Sequence, residues 1–348
     1  MRIVSILMLA LVSACAAADV QTPQAVDQKQ PSANWSYSAQ VATLRAASCP
    51  PGATYERATS IDLKVIDAER GSTRAQQNQL SGLTLAGAWQ LESKEKDFGG
   101  LSGLAVMRSG SLLAINDAGA FIWIGVDAET GHPDGIGAIS YMRDTGGNFF
   151  ANKRDGDSEG LDVRDGLAFV SFEQDHRISA FDLERCGSAA RAAPVVSLPP
   201  VLDGMLLADN RGPEALSLVG DTLSVGYELR KGAGSPIGTV QSDGGLTNVK
   251  TTEQPLLFLM TGLDVEGDLS ARIFRAYDPV RGARVILQVD RDGERIGEGT
   301  FKRPLPVDNF EGVAIGQSPS GAKRVWLISD DNFSANQRTL LLALDLSK

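Results

Sequence analysis

Leu101-Ser102-Gly103-Leu104, Ser158-Glu159-Gly160-Leu161, Pro213-Glu214-Ala215-Leu216 and Phe310-Glu311-Gly312-Val313 are one phrase written four times, and three copies carry a glutamate. A weaker copy, Thr261-Gly262-Leu263, falls between the last two. The residue before each small-then-aliphatic pair is therefore Ser102, Glu159, Glu214, Thr261 and Glu311, at spacings of 57, 55, 47 and 50 residues. A period of that length fits four-stranded sheet units in a circular array, with modest insertions.

Around these copies the chain alternates short β-rich runs with Gly and Asp turns, among them Leu112 to Asn116, Leu167 to Phe172, Leu223 to Leu229, Arg284 to Val289 and Arg324 to Ser329. Its 37 Gly and 15 Pro suit many turns. No amphipathic helix longer than three turns is expected. The pattern predicts an all-β fold, a β-propeller with five or six four-stranded blades. The runs beginning at Ile61 and Leu83 would close the ring against Leu340 to Leu346, which removes exposed sheet edges. A sixth blade would have to come from the irregular N-terminal segment and insertions.

About thirteen residues after each phrase a second polar position follows: Asn116-Asp117, Glu173, Tyr227-Glu228, Arg275 and, after a longer turn, Asp330-Asp331. Inner strands of a propeller run side by side around its axis, so equivalent positions converge there. Carboxylates brought together raise one another's pKa unless a cation, an Arg or a proton intervenes. Two acidic rings, with Thr261 and Arg275 breaking the pattern in the fourth unit, point to a hard cation such as Ca²⁺, to acid-base chemistry, or to cation-bridged binding of an anionic substrate. The alternative is that such acids hold turns by accepting backbone N–H groups. Successive side chains of a strand face opposite ways, and alignment with Asn116-Asp117 puts Asp330 inward and Asp331 outward unless the strand has ended.

The chain has 348 residues, 43% of them hydrophobic, enough for a large core. Its 43 carboxylates against 33 Lys and Arg, net charge −10, exclude nucleic acid as the expected partner. Residues 1–14, with Arg2, the apolar run Ile3 to Val12 and Val12-Ser13-Ala14 before Cys15, resemble a bacterial lipoprotein signal, too short to span a bilayer. Cys15 would then be the lipidated residue and the only membrane attachment. Ala16 rather than Asp favours the outer membrane, facing the periplasm. Residues 15–58, rich in Ala, Gln, Pro and Ser, read as a tether, and residues 59–348 as the propeller domain. Cys49 and Cys186 either form one disulfide or stay as thiols; no Cys-x-x-Cys spacing supports a cysteine metal site.

Asp97-Phe98-Gly99-Gly100-Leu101-Ser102-Gly103-Leu104, Asp157-Ser158-Glu159-Gly160-Leu161, Val170-Ser171-Phe172-Glu173-Gln174-Asp175-His176-Arg177, Gly212-Pro213-Glu214-Ala215-Leu216, Asp308-Asn309-Phe310-Glu311-Gly312 and Ser329-Asp330-Asp331-Asn332-Phe333 together resemble the bacterial phytase-like domain, described as having an esterase-like activity of phytase. The resemblance runs from about residue 60 to the C-terminus. It implies an esterase-like phosphoester or phosphodiester hydrolase whose acids map onto Glu159, Glu173, Glu214, Glu228 and Glu311, with Asp117, Asp330 and Asp331. The acidic rings themselves make Asp117, Asp157, Asp330 and Asp331 candidate metal ligands, with Ca²⁺ the expected cation. The long Asp-Ala-x-Asp-Asp-Pro motifs of calcium-dependent propeller phytases are missing, so phytate is not the expected substrate.

Arg275, Arg211 and His176 are candidates to bind a small phosphorylated or ester substrate. Each has a plainer reading: a surface salt bridge for the arginines, Arg177 among them, and a solvated turn for His176. Ser102 lacks the spacing of a nucleophile elbow, which disfavours a Ser-His-Asp hydrolase. Two other classes stand beside the hydrolase: a non-catalytic propeller that binds a ligand or an envelope protein, and a lactonase-like propeller with one divalent ion. The domain is expected to be a monomer.

Overall fold

The computed structural model describes residues 32–202, 205–208 and 211–347. The proposed signal segment and Cys15 lie outside the described residues.

Each repeated phrase opens an inner strand or directly precedes one. The five inner strands are Leu101–Val106, Ser158–Arg164, Ala215–Val219, Leu259–Glu266 and Asn309–Gln317. Each packs beside the next, and the fifth packs beside the first, so they form a closed circuit. Outward from each runs an antiparallel meander. The first sheet continues through Leu112–Asn116, Ala120–Val126 and Pro133–Tyr141, and the second through Leu167–Phe172, Arg177–Asp182 and Ala193–Ser197. The third repeats this order and ends at Leu246–Glu253; the fourth runs to Glu294–Phe301 and adds a fifth short strand, Leu80–Ser81, beside it.

The fifth sheet closes the circle. Its C-terminal strand Leu340–Leu346 pairs antiparallel with Leu83–Ser93, from the other end of the domain. Leu83–Ser93 also pairs with Thr59–Asp67, which in turn lies beside Pro133–Tyr141 of the first sheet. The expected closing strands are therefore in place.

The apolar core confirms the circular stacking. It divides into five clusters, each filling the space between two neighbouring sheets: Leu113 and Phe121 against Val170 and Phe181, Phe169 and Ala180 against Leu216 and Val225, Ala215 against Met260 and Phe274, Ile273 and Leu287 against Val313 and Leu327, and Trp326 and Leu341 against Leu104 and Ile122. A strand covered on both faces has no polar side to show, which is why Leu112–Asn116 and Leu167–Phe172 are buried throughout. Sheets stacked face to face around a closed circuit of inner strands are the architecture of a β-propeller.

The small residue of the phrase is explained by its neighbours. A Cβ on Gly103 would stand 2.7 Å from Leu161 Cβ, one on Gly160 2.8 Å from Leu216 Cβ, and one on Gly312 2.8 Å from the Ser102 carbonyl oxygen. These obstacles belong to the adjacent inner strand, and for Gly160 and Gly312 the next strand of the same sheet is nearer still, with Ser171 Oγ and Ile328 Cγ2 each at 2.6 Å. Glycine at this position lets neighbouring sheets meet at the axis.

Residues 32–58 differ from the expected tether. Ser36 caps a helix, Tyr37–Ser48, by accepting from the Ala39 N–H, and Asp221 accepts from the Ser36 hydroxyl and the Ser38 N–H. Trp35 and Leu44 enter the core between the second and third sheets. Arg45 forms a buried ion pair with Asp182 at 2.8 Å, and Cys49 is bonded to Cys186 across 137 residues of sequence. Tyr37, Val41 and Leu44, at i, i+4 and i+7, face that core, so the helical spacing is present in the sequence; it is short and interrupted by Ala and Gln in a segment that otherwise reads as polar and Pro-rich.

Candidate functional site

The inner strands do not pair evenly with their neighbours. The register slips between Leu101 and Leu104, Ser158 and Leu161, Met260 and Gly262, and Phe310 and Gly312. Ser102, Glu159, Thr261 and Glu311 therefore all sit at β-bulges, the device by which a strand re-aims one side chain out of its alternation. In the third sheet Glu214 immediately precedes its strand, its N–H bonded to the Gly212 carbonyl. Glu159, Glu214 and Glu311 share with Leu104, Leu161, Leu216, Leu263 and Val313 an axial void of only about 10 Å³. The phrase thus sets a polar residue, a small one and an aliphatic one in succession along the inner strand.

On one side of the axis the Ser102 hydroxyl donates to Asp117 Oδ1 at 3.1 Å. Asp117, Asp157 and Glu159 each offer a carboxylate oxygen, and these oxygens lie within 4.8 Å of one another. Lys153, on a single helical turn, places Nζ 3.1 Å from Asp117 Oδ2 and 3.4 Å from Asp157 Oδ1. The Gln174 amide also donates to Asp157. Glu173, 7% exposed, follows with its N–H on the Asp157 carbonyl and a buried Oε1 that makes no hydrogen bond.

On the other side stands Arg275. Its guanidinium donates to Glu311 and Asn309 through Nη1 and to Glu228 Oε1 through Nη2 at 2.6 Å. The Asn309 amide completes the network, donating to Glu311 Oε1 at 2.9 Å and to Asp330 Oδ2 at 3.0 Å.

Burial and crowding set the electrostatics. Burial first, then the charges of Glu214 and Glu311, hold Glu159 well above the ordinary carboxylate range. Burial and the charges of Glu228 and Glu311 do the same to Glu214. Burial next to Asp157 pushes Glu173 up to about 7, and burial next to Asp117 pushes Asp330 up to about 7. Burial carries Glu311 to about 8 even though Arg275 pulls the other way. Burial opposes the charge on Lys153 and on Arg275, but their carboxylate partners outweigh it and raise both.

Most acids of the two predicted rings thus come together: Glu159, Glu214 and Glu311 from the phrase, Asp117, Glu173, Glu228 and Asp330 from the second position, and Asp157. Asp331 turns away from them. Its Oδ1 accepts from the Gly100 and Phe333 N–H groups and its Oδ2 from the Thr339 hydroxyl, so it fastens loops rather than offering a free ligand atom. Arg275 lies inside the network, not on the surface, and its guanidinium bonds go to the protein's own Asn309, Glu311 and Glu228. Arg211 is exposed and donates to the Glu228 carbonyl. His176 is buried at the turn after Glu173, its carbonyl accepting from the Leu198 N–H.

The sequence reading missed Lys153, Asn309 and a row three residues beyond the phrase. There Asp162 accepts from the Leu218 N–H, Ser217 from the Val265 N–H and Asp264 from the Ile315 N–H, each bond joining one inner strand to the next. The signal was present as a polar residue at a fixed offset from Glu159, Glu214 and Thr261.

Circular stacking and an acid-lined axis define an all-β protein of the propeller class. Residues 96–242 match the model of the phytase-like family, described as esterase-like activity of phytase, so the resemblance drawn from the motifs holds over that stretch. No curated protein sequence matches the chain. Among solved structures it is similar to the PQQ-bound aldose sugar dehydrogenase of Streptomyces coelicolor, at 14% identity and a TM-score of 0.40, over 74% of this chain and 97% of that one. It is also similar to the glutaminyl cyclase of Myxococcus xanthus, at 11% identity and 0.42, over 76% and 97%. A third, the endo-arabinase of Bacteroides thetaiotaomicron, gives 8% identity and 0.45, over 73% and 96%.

Proposed function

We propose that the protein is a five-bladed, envelope-anchored propeller whose axial carboxylates perform metal-assisted hydrolysis of a phosphoester. The observation that carries this reading is the juxtaposition of Asp117, Asp157 and Glu159, with oxygens within 4.8 Å of one another, beside the unsatisfied buried oxygen of Glu173. An all-oxygen, multiply charged donor set suits a hard cation, and Ca²⁺ fits it better than a metal that prefers nitrogen or sulfur. Such an ion would offset carboxylate charge and polarise a phosphoryl oxygen. The chain's own residues supply the rest. Glu173, pushed up to about 7, exchanges a proton near neutral pH and suits a general acid or base. Arg275 keeps Glu228 and Glu311 in place.

The test is hydrolysis of an aryl phosphate, a bis-aryl phosphodiester and an aryl carboxyl ester by the purified chain, with and without calcium, alongside its metal content. Calcium-dependent turnover of a phosphoester, abolished by Glu159→Gln, is expected; no turnover of any of the three would remove the catalytic reading.

A second reading is favoured by Arg275, which already neutralises two ring carboxylates: a non-catalytic propeller with structural acids. Glu159→Gln and Glu311→Gln would then change melting temperature without altering any response to metal.

A further inference from the structure

A cleft of about 1480 Å³ opens beside the acidic axis, with Glu228, Arg275 and Asn309 at its inner end. Its outer walls come from the Asp278–Gly282 hairpin and the segment around Arg303. Arg281 and Arg303 are both exposed, and among the described residues neither forms an ion pair. Arg338, also on the wall, is taken by Asp308 at 3.3 Å. Arg281 also acts on the charge of Asp278, and the cleft carries Glu69, Glu228 and Asp308 as well; Glu228 and Asp308 are paired with Arg275 and Arg338, so the exposed arginines supply its open positive charge in a chain of net charge −10.

Between these cations the wall is apolar and open to water. Leu257, Tyr277 and Val280 are 64%, 74% and 93% exposed, and all three line the cleft. Leu257 takes its φ of 76° in the tight turn that the Phe258 N–H closes onto the Pro255 carbonyl, which holds its side chain out at the cleft. Clustered exposed aliphatic and aromatic surface beside a polar site is the composition of a ligand groove.

We propose that this cleft is the subsite for the part of the substrate remote from the reacting ester, and that it selects an ester bearing an apolar or aromatic arm and a further anionic group. The inference rests on the axial carboxylates being the reacting end. Arg281 and Arg303 bind the second anion, Tyr277 and Val280 cover the arm, and the inner end delivers the ester to the axis. A compact, multiply charged substrate would leave the apolar wall unused.

The cleft is tested apart from catalysis by fluorescence titration of the purified full chain with anilinonaphthalene sulfonate, a probe with one anion and one aromatic arm. Saturable binding is expected, weakened about tenfold or more by Arg281→Ser with Arg303→Ser, the effect of losing charge-assisted hydrogen bonds, and weakened independently by Tyr277→Ser. Ile136→Ser, an exposed apolar residue of the first sheet outside the cleft, should leave it unchanged. Equal binding by native and double-arginine chains would overturn the proposal. Binding that follows the cleft variants, without any phosphoester turnover, would uphold the cleft and remove only the hydrolytic reading. Where turnover is found, the arginine variants should raise KM for the bis-aryl phosphodiester while leaving kcat close to native.

Discussion

Arg275 Nη2 stands 2.6 Å from Glu228 Oε1, joining the fourth sheet to the third, while its other terminal nitrogen reaches Glu311 in the fifth. One side chain therefore ties three sheets together and offsets two carboxylates. Arg275→Met should lower stability by about 3–5 kcal/mol, because it leaves buried charges without a partner. Adding Glu311→Gln should recover part of the loss. Urea unfolding monitored by circular dichroism checks both; equal stability of native and Arg275→Met chains would show that the network is not under electrostatic load.

Stability should fall as pH rises. Glu173 and Asp330 are pushed up to about 7, and Glu311 and Asp264 up to about 8, chiefly by burial. An unfolded carboxylate releases its proton near pH 4, so between about pH 4 and 8 the folded chain binds more protons than the unfolded one. The stabilisation from holding these groups neutral is present at low pH and lost across that window. In chelator the melting temperature should be higher at pH 5 than at pH 8, and added calcium should narrow the gap by stabilising the charged forms. A melting temperature that rises steadily from pH 5 to 8 in chelator would contradict this.

Lys153 already places a cation between Asp117 and Asp157. A divalent ion in that set must share or displace it. Lys153→Met should tighten calcium binding by about tenfold, since one opposing charge interaction of this kind is worth about 1–2 kcal/mol at partly exposed sites. Glu159→Gln should weaken it. Calorimetric titration of the three chains reads the order directly, and identical isotherms would place the ion elsewhere.

The glycines of the repeated phrase should not tolerate enlargement. A Cβ on Gly160 meets Leu216 Cβ at 2.8 Å and the Glu214 carbonyl oxygen at 3.0 Å, so Gly160→Val should cost about 1–3 kcal/mol or more through overpacking. Thermal unfolding checks this, and the same change should disturb Glu159, its immediate neighbour, and with it any metal response.

Most of the ring was legible because it repeats. Glu159, Glu214 and Glu311 share a phrase, and the small residue beside them, Gly160, Ala215 and Gly312, answers to the close approach of neighbouring strands, so one physical cause recurs in sequence. Asp117, Glu173, Glu228 and Asp330 followed from the length of one hairpin. What did not repeat stayed hidden. Lys153 and Asn309 occur once each, at positions defined only by the partners they meet. The helix Tyr37–Ser48 shows a short i, i+4, i+7 face, Tyr37, Val41 and Leu44, but its docking rests also on Trp35, Arg45 and Cys49, whose partners lie far away in sequence and leave no local pattern. Asp331 was separable from Asp330 in principle, since adjacent side chains diverge, but its loop contacts with Gly100 and Thr339 required the fold.

The pairing of Leu340–Leu346 with Leu83–Ser93 has a consequence for biogenesis. The seam joins strands from opposite ends of the domain, so the ring stays open until Leu340–Leu346 is free to pair. Contacts that distant in sequence form slowly. Until then that edge of Leu83–Ser93 is an unpaired template for other strands, so removing Leu340–Leu346 should promote aggregation more than removing a surface loop.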